Sequence, residues 1–251
     1  MVQSEDLLVR KRFLDLSCLA NRKDIVTFST FLNLNELNLF YQSVPELETA
    51  YQLSGGYEFA ERQMVAFIPD ALYYDYVFPI VCLHFYPVHP KFAEELSHRD
   101  ILGALMNLGI ERSRIGDIKL DGQDYYIFCE ESISDYVMQS LTQIRHTAVT
   151  GICMEAGAYH FEQKYEQIEG IISSVRLDNI VALLLKLSRD KSAMLIRSQK
   201  VFINGKAAAS NSCLCREGDV ISIRGFGKYI YEGCSGETRK GRMKVSLKKY
   251  I

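Results

Sequence analysis

Along the chain the apolar positions change period several times. Residues 77–86 alternate, with Val81, Leu83 and Phe85 on one face, which predicts a strand. Ile101, Leu102, Leu105 and Leu108 then recur at helical spacing, with Ser97 as the expected N-cap, Asp100 in the first turn and Gly109 as the stop. Two strand patterns, 115–120 and 125–129, flank Asp121-Gly122, a two-residue hairpin signal. Ser132 or Ser134 is the expected cap of a second helix with Val137, Leu141 and Ile144 inward, and 148–154 supplies a last strand. The order strand-helix-strand-strand-helix-strand predicts a ferredoxin-like (RRM-like) βαββαβ domain over 73–155. Residues 1–72 read as a small, mostly helical region broken by Pro45 and Gly55-Gly56. Residues 156–174, with Gly157, Glu162, Glu166, Glu169, Gly170 and Ser173-Ser174, read as a connector with room for a strand of its own.

The pattern changes again at residue 175. Leu177, Ile180, Val181, Leu184 and Leu187 lie on one helical face, and Ser188 caps a second short helix that turns Ala193 and Ile196 toward the first. Residues 201–203 form a strand that runs into Asn204-Gly205, a hairpin turn, and Gly218-Asp219 precedes a further strand at 220–224. The fold class is therefore α+β, with a C-terminal α-then-β module over 175–251 that ends in a basic tail.

Charge changes the picture most. The 251 residues carry a net charge of −2, yet residues 1–175 hold 13 Lys and Arg against 25 Asp and Glu, a balance of −12, while residues 176–251 hold 16 against 6, a balance of +10. A basic module on an acidic body points to a polyanionic partner. The 48% apolar content excludes a mainly disordered chain. No apolar run approaches the roughly 20 residues of a membrane helix, so no membrane partner is expected. The acidic N-terminus lacks a signal-peptide profile, and seven scattered Cys read as reduced thiols, so a cytoplasmic location is expected.

The C-terminal elements resemble the S4-type RNA-binding domain through Arg176-Leu177-Asp178, Ser188-Arg189 with Ala193, Leu195-Ile196, Asn204-Gly205 and Gly218-Asp219. One departure is Gln199, which stands where that family usually has Gly after the second helix. The resemblance extends over nearly the whole chain. Gly55-Gly56-Tyr57 with Ala60-Glu61-Arg62 is similar to a motif of the YlmH family of S4-domain proteins. So are His98-Arg99-Asp100 with Leu102-Gly103-Ala104, Leu108-Gly109-Ile110, Arg112 and Ile115-Gly116-Asp117-Ile118, and so is the ending Arg224-Gly225-Phe226-Gly227-Lys228-Tyr229 with Thr238-Arg239-Lys240-Gly241-Arg242. The resemblance implies a bacterial, non-enzymatic protein that binds ribosomal or transfer RNA. It further implies work on the large ribosomal subunit, in quality control of stalled translation.

The expected RNA-binding residues are Arg176, Ser188, Arg189, Lys191, Arg197, Lys200, Asn204, Lys206 and Lys228, with two helix starts and a hairpin presenting the cations around one side and helix N–H groups meeting phosphate. DNA is not an expected partner. Tyr125, Tyr126 and Phe128 sit where an RNA-recognition sheet would stack bases, but the basic-glycine-aromatic signature is absent and packing is their expected role.

Catalysis has weaker support. His98-Arg99-Asp100 spells the start of a kinase loop, but Leu105 stands where the metal-binding Asn would be. Cys213, Cys215 and Cys234, and His84, His89 and His98, have spacings that fit no metal or nucleophile motif, so no metal and no cofactor are expected. Asp178 matches the Arg-Leu-Asp of pseudouridine synthases, but Val175 replaces the preceding Gly and no catalytic domain follows. An RNA-modifying enzyme, with the S4 module as anchor and the acidic body as catalyst, is the alternative reading.

Overall fold

The computed structural model describes residues 2–58, 60–155, 157, 164–239 and 241–250; Glu162 and Lys240, named above, lie outside the described residues. The chain divides into two compact units, Met1–Phe161 and Glu162–Ile251.

The first unit opens with α1 (Val2–Lys23), β1 (Thr27–Phe28), α2 (Leu34–Ser43), β2 (Ala50–Ser54) and β3 (Met64–Ile68). Asn33 and Glu36 start α2 as a capping box: Asn33 Oδ1 accepts from the Glu36 N–H at 3.0 Å, and the Asn33 N–H donates to Glu36 Oε2 at 2.7 Å. Beside its two helices the region carries a three-stranded antiparallel sheet, in the order β1-β3-β2. Phe13, Leu37, Phe40, Val65 and Phe67 close a small core between helices and sheet.

The middle of this unit follows with β4 (Ile80–Pro87), α3 (His98–Asn107), β5 (Ile115–Asp121), β6 (Asp124–Glu130), α4 (Glu131–Ser140), β7 (Gln143–Ile144) and β8 (Thr147–Glu155). The sheet order β5-β6-β4-β8 is that of the ferredoxin-like fold, with the two-residue β7 added at one edge. Ser97 starts α3 as expected, its N–H and hydroxyl both donating to Asp100 Oδ2, and Gly109 (φ +79°) follows its end. The hairpin is one residue out of the expected register: Asp121 pairs with Asp124, and Gly122-Gln123 form the loop with Gly122 at φ +60°. Neither Ser132 nor Ser134 caps α4. The helix starts directly from β6 at Glu131, whose N–H donates to the Pro79 carbonyl, and the Ser134 hydroxyl donates back to the Glu131 carbonyl. Ile144 is inward as expected but lies on β7.

Strand alternation gives this sheet two covered faces. Leu83, Phe85, Tyr125 and Ile127 face the helices with Ile101, Leu105, Ile133 and Val137. Cys82, Tyr126 and Phe128 face the other way, against Phe31 and Met64 of the N-terminal layer.

The second unit contains β9 (Tyr165–Ile172), α5 (Leu177–Leu185), α6 (Arg189–Arg197), β10 (Val201–Ile203), β11 (Lys206–Ala207), β12 (Val220–Ile223), β13 (Gly227–Glu237) and β14 (Met243–Tyr250). All six strands form one antiparallel sheet, in the order β11-β10-β12-β13-β14-β9. The strand for which the connector had room is the eight-residue β9, and the basic tail is the ordered hairpin β13–β14. Gly170, named in the connector, lies within β9, where Leu183 occupies the place of its side chain: a Cβ there would lie 2.4 Å from Leu183 Cδ1. Leu177, Ile180, Val181 and Ile196 pack on Val201, Ile221, Ile223, Tyr229, Val245 and Leu247, so both helices cover one face of the sheet.

Candidate nucleic-acid interface

The two helices of the second unit are started differently. Ser188 caps α6 by accepting from the Lys191 N–H at 3.4 Å. Arg176 stands at the cap of α5, and the first N–H groups of that helix are occupied by the chain itself: Leu177 N–H donates to the Cys213 carbonyl and Asp178 N–H to the Asn211 carbonyl. The expectation that both helix starts offer N–H groups to phosphate therefore fails for α5.

Asp178 organises the site instead. Its carboxylate is only 4% exposed, and Arg176 reaches it with two nitrogens, Nε at 3.2 Å and Nη2 at 3.1 Å. Arg189 Nη2 approaches the same Oδ2 at 3.4 Å while its side chain stays 61% exposed. Burial opposes ionisation of Asp178, but the hydrogen bonds and charges of the two guanidinium groups outweigh it and hold the carboxyl below the ordinary range. The Ser192 hydroxyl donates to the Asp178 carbonyl at 2.9 Å, and Asn179 Nδ2 donates to Ser173 Oγ and Ser174 Oγ. The starts of α5 and α6 are thus fixed to each other, and two arginines from positions 13 residues apart converge on one carboxylate. This aims two planar guanidinium groups that retain further donors for phosphate. In the sequence Asp178 stands out only through its likeness to a catalytic motif, because the contact to Arg189 exists only once α6 folds back on α5.

The other expected residues separate from this pair. Lys191 lies in the first turn of α6 and Arg197 in the last, both exposed. Asn204 serves the hairpin: it sits at φ +49° beside Gly205 at φ +78°, donates from Nδ2 to Asp219 Oδ1 at 2.9 Å and accepts the Val220 N–H on Oδ1 at 2.9 Å. Lys206 is on β11, opposite Ile203.

Val201, Ile221 and Ile223 point to the helices, so alternation puts Phe202 and Ser222, with Lys228 opposite Ser222, on the far face. The Arg224 guanidinium stacks 4.9 Å from the Phe202 ring centre, and the Arg224 N–H donates to the Lys200 carbonyl. The nine residues expected around one side therefore divide between a helix-start group (Arg176, Ser188, Arg189, Lys191), Arg197 at the far end of α6, and a sheet-and-turn group (Lys200, Asn204, Lys206, Lys228), which Phe202 and Arg224 join. Arg224 is visible in the Arg-Gly-Phe-Gly motif; its stacking on Phe202 is not.

Two of the motif blocks in the first unit hold the fold together. Asp117 accepts from the Tyr57 hydroxyl at 2.6 Å, the Glu61 N–H at 2.7 Å and the Arg62 N–H at 3.2 Å. Arg62 reaches the carbonyls of Ile115 and Phe31, and Arg112 those of Ile115 and Gly116. Burial lowers both guanidinium pKa values, that of Arg112 to about 10. Tyr126 and Phe128, at 5% and 1% exposure, are packed as the sequence suggests. Of the three cysteines near the C-terminus, Cys215 is buried, with its thiol pushed up to about 12 chiefly by burial, and Cys234 is exposed. Among the described residues no group of three or more His, Cys, Asp or Glu side chains is placed to hold a metal ion, and no helix is long and apolar enough to cross a membrane.

Comparison with known proteins agrees with this architecture. Residues 75–156 match the family described as "Putative RNA-binding domain in YlmH", and residues 175–221 match the S4 domain. The chain is 28% identical over 224 residues to the Bacillus subtilis (strain 168) "Ribosome-associated protein quality control protein P2", covering 87% of this chain and 85% of that protein. The solved structure "Cell division protein ylmH from Streptococcus pneumoniae" shares the fold, with a TM-score of 0.52 at 22% identity over 62% of this chain and 95% of that one. With both domain matches in order and the Gly-Gly-Tyr and Arg-Leu-Asp blocks in place, the chain is similar, domain by domain, to the YlmH-type S4-domain proteins.

Proposed function

We propose that this protein is a non-enzymatic, cytoplasmic RNA-binding factor that docks its S4 module on ribosomal or transfer RNA of the large ribosomal subunit and acts in quality control of stalled translation. The observation that carries the reading is the convergence of Arg176 and Arg189 on buried Asp178 at two helix starts, inside a region with a charge balance of +10. Phosphate contacts supply the affinity, and the shape of a folded RNA supplies the selectivity. The relative named for ribosome-associated quality control supports the cellular role.

Arg189→Gln tests the site, since it removes one charge and keeps a donor for Asp178. RNA affinity is expected to fall about tenfold, or about 1.4 kcal/mol, with an unchanged melting curve. Unchanged affinity would remove Arg189 from the interface.

One feature favours the enzyme alternative: a cleft of about 450 Å³ in the first unit, lined by Phe28, Ser29, Thr30, Met64, Pro79, Glu130, Glu131 and Ser132. Glu130 is engaged by Arg114 at 2.8 Å, an arrangement suited to holding β5 against β6. Mass spectrometry of nucleosides digested from RNA incubated with the protein should show no new species, and a time-dependent product would favour the enzyme.

A further inference from the structure

The matched S4 domain ends at residue 221, and the most basic stretch of the chain lies beyond it. Strand β13 pairs with β12 only over Gly227–Ile230, so from residue 232 onward β14 is its one strand neighbour. Two register shifts, at Tyr231/Gly233 and Cys234/Gly236, bend this distal ribbon, with Gly233 at φ +122° and Gly236 at φ +146°. Glu237 and Met243 form the last pair, and Met243 is also where β14 meets the end of β9 at Ile172, so the described residues of the connecting turn, Thr238, Arg239, Gly241 and Arg242, lie beyond both pairings.

That loop is closed on itself. The Thr238 N–H donates to the Arg242 carbonyl at 2.7 Å, the Gly241 N–H to the Thr238 carbonyl at 2.9 Å, and the Arg242 N–H to Thr238 Oγ1 at 3.0 Å. Arg239, Arg242 and Lys244 are exposed, and among the described residues no carboxylate lies within ion-pair distance of them. Elsewhere in this unit cations are neutralised in part: Arg176 and Arg189 share Asp178, Lys248 pairs with Glu232 and Lys249 with Glu166.

We infer that the β13–β14 hairpin is a second RNA-contacting arm, separate from the helix-start site, whose tip places Arg239 and Arg242, with Lys244 behind them, on the phosphate backbone of a base-paired stem. A duplex fits better than a single strand. The loop 238–242 contains no aromatic ring on which an unpaired base could stack, and Tyr229 and Tyr231 of the same ribbon are buried. A stiff basic turn with no stacking platform reads phosphate spacing, which an A-form stem fixes and a single strand does not. The inference rests on the RNA-binding reading above and adds to it a second point of contact.

The test uses the full chain and two labelled probes: an RNA stem-loop with a stem of roughly 16 base pairs, and an unstructured single strand of equal length. Arg239→Ala/Arg242→Ala/Lys244→Ala is expected to bind the stem-loop at least tenfold more weakly, and to flatten the slope of log affinity against log salt by about 2. Its affinity for the single strand should change less than threefold. Loss on the stem-loop with Arg189→Gln unaffected would keep the arm and overturn the helix-start site. Loss in Arg189→Gln with the arm variant unaffected on both probes would overturn the arm and leave the helix-start site standing. Equal loss on both probes would overturn recognition of a stem. A photoreactive benzophenone residue at position 239 supplies a readout that does not depend on the triple variant folding: crosslinks should map to the stem, and crosslinks confined to unpaired nucleotides would overturn the proposal.

Discussion

Gln199 adopts φ +55° directly after α6, in the left-handed region where a side chain costs about 1 kcal/mol or more. Its N–H still donates to the Ile196 carbonyl at 3.0 Å, so the turn itself is made correctly. Gln199→Gly should therefore raise the stability of the second unit by roughly 0.5–1 kcal/mol, read as a shift in the denaturant midpoint at constant slope. A lower midpoint would show that the Gln side chain has a contact worth more than the strain. This strain is legible in the sequence, because the position where the S4 pattern puts Gly is occupied by something else. Asp178 is not legible in the same way, since its pairing with Arg189 exists only once α6 folds back on α5. Its folded pKa is held below the unfolded value of about 3.9, so the stabilisation it contributes is present in full above that value and is lost as pH falls through the folded pKa. Acid denaturation of the second unit should accordingly steepen below about pH 4, and Asp178→Asn should remove that limb of the curve. Identical acid profiles for the two proteins would exclude the carboxylate as the cause.

At the scale of elements, the ferredoxin-like domain is readable because its apolar runs are strand-length or recur at helical spacing and α3 carries both a cap, Ser97, and a stop, Gly109; β6, buried on both faces, and α4, without a side-chain cap, are marked less clearly. The three-stranded sheet before it is hidden for a physical reason: β1 has two residues, and β2 and β3 are separated by the Gly55-Gly56 turn that reads only as a breaker. That turn is what joins the two layers. Gly56 adopts φ +91°, and a Cβ there would lie 2.7 Å from the Phe128 ring, while a Cβ on Gly116 would lie 2.7 Å from the Phe31 ring. Gly56→Ala should then cost about 2–3 kcal/mol through strain and overpacking together, measured by urea denaturation. A cost below about 0.5 kcal/mol would mean that the N-terminal layer can slide away from the sheet without loss.

At the scale of the molecule, the charge division follows the two units closely and is legible in the amino-acid sequence, because it needs only counting. Residues 164–251, which hold the six-stranded sheet and both S4 helices, should bind RNA at low salt at least as tightly as the full chain, but with less discrimination between RNAs. The acidic unit, once attached, repels misplaced polyanion. With about four to six phosphates engaged, log affinity should fall against log salt with a slope near −3 to −5. If the fragment fails to bind while the acidic unit binds alone, the anchor lies elsewhere. The division of the cations within the S4 module cannot be counted in this way, because strand alternation decides which face each one takes. The pairing of β9 with β14 has a further consequence, for the order of events during synthesis. Tyr165 pairs with Tyr250 and Ile172 with Met243, so β9 is made long before β14, the strand it pairs with. At about 5–20 residues per second, that gap keeps an eight-residue edge waiting for several seconds, while α5, α6 and the short hairpin β10–β11 can already form from local contacts. On its outward face Gln167 and Glu169 alternate with exposed Tyr165 and Ile171, so polar and charged side chains blunt that edge only in part against pairing with another chain during the wait.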